Sequence, residues 1–153
     1  MDEQTVTRYI LDTFPDVETT DAFGYTFFFY RDDHMLPFAT IAAADNEHDR
    51  VSNLDRPGVF RVNIGFSKQT FQTLFGAEGR RVEDYDFTAL DTLMPHPEYA
   101  AQSFICVLNP GDATVQQVRS LLAEAHERAV QRYQRRHQRP AEYGDDEGAV
   151  PDE

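Results

Sequence analysis

The sequence predicts an α+β domain in which an antiparallel sheet packs against helices at the N- and C-termini. Residues 3–14 carry apolar side chains at the spacing of an amphipathic helix, and residues 113–137 repeat that spacing over a longer stretch. Between these helices lie short apolar or alternating runs bounded by turn residues, which are typical of strands. These runs are residues 24–30, 37–44, 59–65 and 102–110. A series of strands with helices at its ends is typical of the α+β class.

Two of the predicted helices have ends that local residue types define. The N-terminal helix places Val6, Ile10 and Phe14 on one face, and the proline that follows stops it. A shorter helix is predicted for SKQTFQTLFG, with Ser67 as its N-cap and Gly76 as the residue that closes it. Both helices are therefore expected to be short.

The C-terminal helix is the longest predicted element. It runs from about Ala113 to about His137, and either Asp112 or Thr114 is expected to cap it. Its apolar side chains recur at helical spacing, so they are expected to pack on the sheet. They are Val115, Val118, Leu122, Ala125, Ala129 and Tyr133.

The strand signal is clearest in a hairpin and in one central strand. GYTFFFY at 24–30 predicts a strand covered on both faces, and PFATIAAA at 37–44 predicts the returning strand of a hairpin. VFRVNIG at 59–65 alternates between an apolar and a polar face. The apolar set is Phe60, Val62 and Ile64, and the polar set is Arg61 and Asn63. Residues 87–99 are expected to hold one helical turn before two prolines break it.

Composition limits the classes of function. The chain of 153 residues has a net charge of −13, a single lysine beside thirteen arginines, and one cysteine, which excludes an internal disulfide. No apolar run is long enough to span a membrane, and the start MDEQTVTRY is no secretory signal, so a cytoplasmic location is expected. An excess of carboxylates with little lysine fits a protein kept soluble in concentrated salt. The same charge repels phosphate backbones, so nucleic-acid binding is not expected.

Residues 1–137 are expected to form a single domain, because a chain of this length can bury one core. Residues 138–153 are rich in proline, glycine and acidic residues and predict a disordered acidic tail.

Two resemblances add to this interpretation. The run SNLDRPGVFRVNIGFSKQTFQTLFG, with PFATI before it and LMPHPEY after it, is similar to a family of uncharacterised prokaryotic proteins. That resemblance covers nearly all of residues 1–135 and implies no activity. The segment HPEYAAQSFICVLNPGDATVQQVRSLLAEAHERAVQRY resembles YjbR/MmcQ-like proteins, which implies a CyaY-like or double-wing α+β fold. DNA binding has been suggested for those proteins, but here Phe104 stands where a tryptophan is often found, and a basic surface is lacking.

The polar face of the central strand is the leading candidate for a ligand site. Arg61 and Asn63 lie on the same side of the strand, so their side chains can converge on one ligand. A guanidinium suits a carboxylate or phosphate, and an amide both donates and accepts hydrogen bonds. If a helix covers this face instead, Arg61 has to be paired internally, because a lone buried charge is too costly.

The preceding loop, SNLDRPG at 52–58, places Asp55 and Arg56 at the edge of that site. Its turn-forming residues and its Pro-Gly pair also predict a purely structural entry into the sheet. In that case Asp55 accepts hydrogen bonds from loop amides or pairs with an arginine. The structural interpretation is favoured for SNLDRPG, while Arg61 and Asn63 are the stronger functional candidates.

His96 is a second candidate, because the two prolines of MPHPEY hold it rigidly, as a general base or a ligand requires. Tyr99 lies close in sequence and is expected to help form a polar pocket. No nucleophile motif accompanies the histidine, and Cys106 lies in an apolar strand where a thiol is normally inert. The favoured alternative is a structural histidine bonded to a loop carbonyl.

Neither a metal nor a cofactor is expected. Asp45, Glu47, His48 and Asp49 offer suitable ligand types, but their spacing matches neither an EF-hand nor a zinc signature. No glycine-rich phosphate loop is present in the sequence.

One segment resembles a nucleic-acid-binding sequence, namely RYQRRHQR at 132–139. Cations at the end of a helix also complement its dipole, and this simpler interpretation is favoured. Nucleic-acid binding through the C-terminal helix stays an alternative.

The sequence thus predicts a non-catalytic binding module for a small anionic ligand or a protein partner. One alternative is a small enzyme that uses His96 as its base and Arg61 as an anion clamp. The surroundings of Arg61 and Asn63 are expected to decide. An open pocket favours a ligand or a substrate, whereas a sealed face favours a protein partner.

Overall fold

A single antiparallel sheet organises the chain in the computed structural model, which describes residues 1–65, 67–76 and 84–137. The strands within these ranges are β1 (Val17–Ala22), β2 (Tyr25–Tyr30), β3 (Ala39–Ala42), β4 (Arg61–Gly65), β5 (Met94–Pro95) and β6 (Phe104–Leu108). The helices are α1 (Glu3–Thr13), α2 (Lys68–Phe75) and α3 (Val115–His137), and a 3-10 turn spans Ala100–Gln102. The strands lie in the order β1-β2-β3-β4-β6-β5 and every neighbouring pair is antiparallel. The predicted α+β class, with helices at both ends of the domain, is confirmed.

One face of the sheet, called here the helix face, is apolar and packs against α1 and α3. Its side chains are Phe28, Tyr30, Ala39, Ile41, Val62, Ile64, Ile105 and Val107. Val6 and Ile10 of α1 and Leu122 of α3 are buried against them, as the helical spacing predicted. The main core of the domain therefore lies between the sheet and its terminal helices.

The opposite face, called here the loop face, carries Thr40, Ala42, Arg61, Asn63, Cys106 and Leu108. The segment at residues 45–58, called here the cover loop, lies across it. Leu54 of this loop and Phe87 form a second apolar cluster with the side chains of β5 and β6. Loops rather than helices thus bury this side of the sheet.

Neighbouring residues set the boundaries of α1 and α2. Asp2 caps α1 by accepting the amide of Thr5 at 2.8 Å, and the helix ends before the proline. Ser67 caps α2 by accepting the amide of Thr70 at 3.0 Å. The predicted hairpin at 24–44 is formed by β2 and β3. Each cap depends on a hydrogen bond to a residue three positions along the chain, which short sequence patterns can predict.

Three features differ from the prediction or were not foreseen. β1 had not been predicted, because its sequence VETTDA has no apolar alternation. The helical turn expected within 87–99 is wrong, since β5 occupies part of that segment. Pro95 is tolerated there because an edge strand leaves one side of its backbone unpaired. The carboxylate of Asp91, rather than a nearby cap alone, fixes the start of α3 by accepting the amides of Gly111, Ala113 and Thr114.

Two predictions lie outside the described residues, in whole or in part. They are the acidic tail at 138–153 and most of the loop expected at 77–86. Within the described ranges, no helix combines the length and the apolar character that a membrane span requires.

Candidate functional site

Arg61 is the centre of a hydrogen-bond network beneath the cover loop. Its side chain is 0% exposed. One terminal nitrogen, Nη1, donates to Asp49 Oδ1 at 3.1 Å and to Ser52 Oγ at 3.0 Å, while Nη2 donates to Asp49 Oδ2. The third nitrogen, Nε, donates to Asn63 Oδ1 at 3.0 Å. Asp49 therefore holds the guanidinium with both carboxylate oxygens, the strongest geometry for this pair.

The network extends across three strands. Asn63 Nδ2 donates to Thr40 Oγ1 at 2.9 Å, which joins β4 to β3. The Tyr25 hydroxyl donates to Asp49 Oδ2 at 2.7 Å, which joins β2 to the cover loop. Asn46 Nδ2 contacts the same hydroxyl at 3.3 Å. The cover loop is thereby attached to the sheet through polar contacts at several points.

Each partner of the buried pair keeps the other one charged. Burial alone would raise the pKa of Asp49, but hydrogen bonds from Arg61 and its positive charge outweigh burial, so the pKa is lowered. Burial alone would lower the pKa of Arg61, and Asp49 raises it instead. Arg61 is paired internally, as predicted for the case in which its face of the strand is covered. The cover, however, is a loop and not a helix.

His96 lies buried, 4% exposed, where β5 ends. Its Nδ1 accepts the backbone amides of Glu98 and Tyr99, each at 3.0 Å. The prediction that a structural histidine at this position binds a loop carbonyl is wrong, because Nδ1 binds two loop amides. Burial and the charge of Arg61 lower the pKa of His96 to about 3. The ring is therefore neutral at ordinary pH and only weakly basic.

The other two groups near His96 differ in exposure. Tyr99 is 52% exposed, and its ring centre lies 5.0 Å from that of His96. Cys106 is fully buried, and burial raises the pKa of its thiol to about 12. A thiol in such surroundings is a poor nucleophile.

Asp55 and Arg56 stabilise the cover loop itself. The carboxylate of Asp55 accepts the amide of Asp45 at 3.1 Å. The guanidinium of Arg56 donates to the carbonyls of Asn53, Ser52 and Thr88 at 2.9, 3.0 and 3.1 Å. The structural interpretation of SNLDRPG therefore accounts for the polar contacts of both side chains.

These two residues also line an open cleft of about 450 Å³ between the cover loop and the start of α1. Asp2, Glu3 and Gln4 form the α1 side of the cleft. The predicted site residues are thus divided by the structure. Asp55 and Arg56 reach the cleft, whereas Arg61, Asn63, His96 and Tyr99 do not line it.

The acidic cluster at 45–49 is dispersed among different partners. Asp49 binds Arg61, Asp45 Oδ1 accepts the amide of Leu54 at 2.8 Å, and His48 is exposed beside Glu47. Across the residues that the structure describes, no three side chains of histidine, cysteine, aspartate or glutamate are placed to share a metal ion.

The described part of the basic segment packs against the loop after β2. Arg136 pairs with Asp33 at 3.0 Å, and the guanidinium of Arg31 lies 5.3 Å from the ring centre of Tyr133. Arg132 is partly buried on α3. These contacts give the cations at the end of α3 a structural role, and residues 138–139 lie outside the described ranges.

Comparison with known proteins identifies the family. The model of DUF6194, a family of unknown function, matches residues 1–138. The chain belongs to this family. No curated protein and no solved structure matches the chain. Membership of an uncharacterised family is thus confirmed, and the YjbR/MmcQ-like resemblance stays a prediction.

Proposed function

We propose that this member of DUF6194 is a non-catalytic module that binds a basic segment of a protein partner in the cleft between the cover loop and α1. The observation that carries the proposal is the complete burial of Arg61 against Asp49. The guanidinium best placed to clamp a small anion is already neutralised. A face sealed in this way favours a protein partner over a small ligand.

The charge of the cleft indicates the chemistry of the partner. Asp2, Glu3 and Asp55 contribute three carboxylates, while the guanidinium of Arg56 is engaged with backbone carbonyls. The whole chain carries a net charge of −13, which adds a long-range attraction for cations. Lysine- or arginine-rich segments complement this surface, and a small anion does not.

A second depression, of about 460 Å³, continues from the cleft along the exposed side of α1. It shares Glu3 and Gln4 with the cleft, and Arg8 and Asp12 add one charge of each sign. It also reaches Leu11, which is 44% exposed. The two depressions together form a track along the helix rather than a closed pocket. An extended segment with basic and apolar residues fits a track of this kind better than a compact molecule does.

The buried residues of the predicted site have a positioning role in this proposal. Arg61 holds the cover loop on the sheet through Asp49, and Asn63 orients Arg61. The cover loop forms one wall of the cleft. His96 and Tyr99 lie on the far side of the loop face, next to β5 and β6. The enzyme alternative has less support, because His96 is a weak base and Cys106 an inert thiol.

A charge-reversal experiment tests the proposal. The probe is a short fluorescent peptide rich in arginine and leucine, titrated with the protein at low and at physiological salt. We expect Glu3→Arg to weaken binding about tenfold, because it reverses one carboxylate of the cleft. The matched control is Glu127→Arg, which makes the same charge change on an exposed position of α3. Equal weakening by both variants, or none by either, contradicts a specific cleft.

A further inference from the structure

The two edges of the sheet are protected to very different degrees. At one edge, β5 has two residues and one of them is Pro95, which has no amide to offer. At the other edge, β1 has six residues without proline, and residues 18–21 are all exposed. A long, uncovered edge strand presents unpaired backbone groups to other chains, and most proteins shield such edges.

The register of the β1–β2 hairpin shows which backbone groups are free to pair. Ala22 and Tyr25 flank a two-residue turn, so they form a hydrogen-bonded pair, and the pairing alternates from there. The bond from the Arg31 amide to the Asp16 carbonyl, at 2.8 Å, fits the same alternation. The N–H and C=O groups of Thr19 and Asp21 therefore point away from β2, toward the open side of the sheet.

The turn of this hairpin contains an aromatic residue in an unfavourable backbone conformation. Phe23 has φ of 58°, and Gly24 after it has φ of 82°. Asparagine, aspartate or glycine is normally found at this turn position, because a bulky side chain is disfavoured at positive φ. Phe23 is 86% exposed, so its ring gains almost no burial within the domain. Strain that folding does not offset points to a role in binding.

The charges along β1 indicate what kind of strand can be added. Glu18 and Asp21 are both exposed on the strand, although Glu18 also binds His34 at 2.9 Å. Pairing of β1 with a second copy brings together two chains that each carry a net charge of −13, so the two copies repel each other. A strand with basic side chains is instead attracted to Glu18 and Asp21.

We propose that the free edge of β1 binds an extended, basic segment of a protein partner, which extends the sheet by one strand and packs an apolar side chain on Phe23. Backbone hydrogen bonds to Thr19 and Asp21 provide the affinity, and the side chains provide the specificity. This surface is separate from the cleft at α1, because no residue of β1 lines that cleft.

A designed peptide tests this proposal. It carries lysines at the positions opposite Glu18 and Asp21, valine and threonine between them, and a leucine at the end next to Phe23. The control peptide has the same sequence with N-methyl groups on the amides that face β1, so its charge is unchanged and its backbone donors are lost. We expect the control to bind at least about tenfold more weakly in fluorescence anisotropy.

Two variants add independent readouts. Phe23→Asn is expected to raise the thermal unfolding midpoint of the free protein, because asparagine tolerates positive φ, and to weaken peptide binding. Phe23→Gly is also expected to raise the thermal midpoint and to weaken peptide binding, because glycine tolerates positive φ and offers no ring to the peptide. The N-methylated peptide keeps its charges, so any binding that it retains reports attraction to the cleft at α1, and the difference between the two peptides reports the edge.

Three results would overturn the proposal. The first is equal binding of the methylated and unmethylated peptides, which means attraction by charge alone. The second is peptide binding that survives both Phe23 variants unchanged. The third is a stable dimer of the free protein in sedimentation that Phe23→Asn or the peptide disrupts, which means that a second copy occupies the edge.

Discussion

The two faces of the sheet are stabilised by different interactions. On the helix face, side chains such as Val62 and Ile64 are 0% exposed beneath α1 and α3, and they are held by non-directional apolar contact. On the loop face, the same strand β4 carries Arg61, and the buried centre is the ion pair of Arg61 with Asp49. Apolar packing loses stability in small steps when atoms are removed. A buried ion pair, by contrast, is satisfied only when both partners are present.

The largest expected effect comes from removing one partner of the pair. Asp49→Ala leaves the Arg61 guanidinium buried without its carboxylate, and we expect the free energy of unfolding to fall by about 3–5 kcal/mol. Urea denaturation at neutral pH measures this loss. A loss below about 1 kcal/mol would mean that the pair behaves like a solvent-exposed salt bridge.

A double variant separates the loss of the pair from the cost of an orphaned charge. Replacing both partners, with Asp49→Leu and Arg61→Met, removes the buried charge altogether. We expect this double variant to be more stable than Asp49→Ala. A double variant that is less stable than the single one would show that the pair contributes more than mutual neutralisation.

The second effect is a pH dependence from the loop face. The pKa of His96 is about 3 in the folded chain and its ordinary value is 6.5, so below pH 6.5 the unfolded chain takes up a proton that the folded chain does not. Stability therefore falls as the pH drops, by about 2 kcal/mol between about pH 7 and pH 5. Urea denaturation of the wild type and of His96→Asn at both pH values checks this.

The asparagine variant is a close control for His96, because its side-chain oxygen can accept the amides of Glu98 and Tyr99 in place of Nδ1. We expect the variant to show a flatter pH dependence over this interval. Asp49 does not interfere, since its pKa is lowered from 3.8 and its contribution is lost only in more acidic solution. An equal slope in both proteins would assign the pH dependence to other groups.

The helix face is expected to respond more mildly to a conservative change. Ile64→Val removes one methylene from a fully buried position, and we expect a loss of about 1 kcal/mol in urea denaturation. The slope of the transition is expected to stay the same. A loss as large as that of Asp49→Ala would erase the contrast between the two faces.

The smallest effect concerns salt. Potassium chloride screens the repulsion among exposed carboxylates of a chain with net charge −13, so the thermal midpoint is expected to rise from low to molar salt. The stability difference between wild type and Asp49→Ala is expected to change little, because the buried pair is shielded from ions. A midpoint that does not move would count against adaptation to concentrated salt.

Much of the fold could be read from the sequence, because its signals are local. The spacing of Val6 and Ile10, the N-cap Ser67 and the alternation around Val62 depend on neighbours a few residues away. β1 lacked such a signal. Its strand state depends on pairing with β2, whose aromatic run provides the apolar partner surface.

The candidate site was less predictable for a physical reason. The alternation of side chains along β4 predicts that Arg61 and Asn63 share one face, and a buried arginine needs a charged partner. In the sequence, Asp49 stands among residues of metal-ligand type, and twelve residues separate it from Arg61. Several acidic residues were equally available in the sequence, and only the path of the cover loop selected Asp49.

The sequence by itself determined the class of fold, the boundaries of α1 and α2, the two faces of the central strand and the acidic character of the chain, because each depends on residue type and short spacing. The tertiary structure alone decided that a loop seals the polar face, that Asp49 neutralises Arg61, and that β1 is left open at the edge of the sheet. These features depend on contacts between segments that are distant in sequence. Charge and hydrophobic periodicity are local properties and do not specify which distant segments meet.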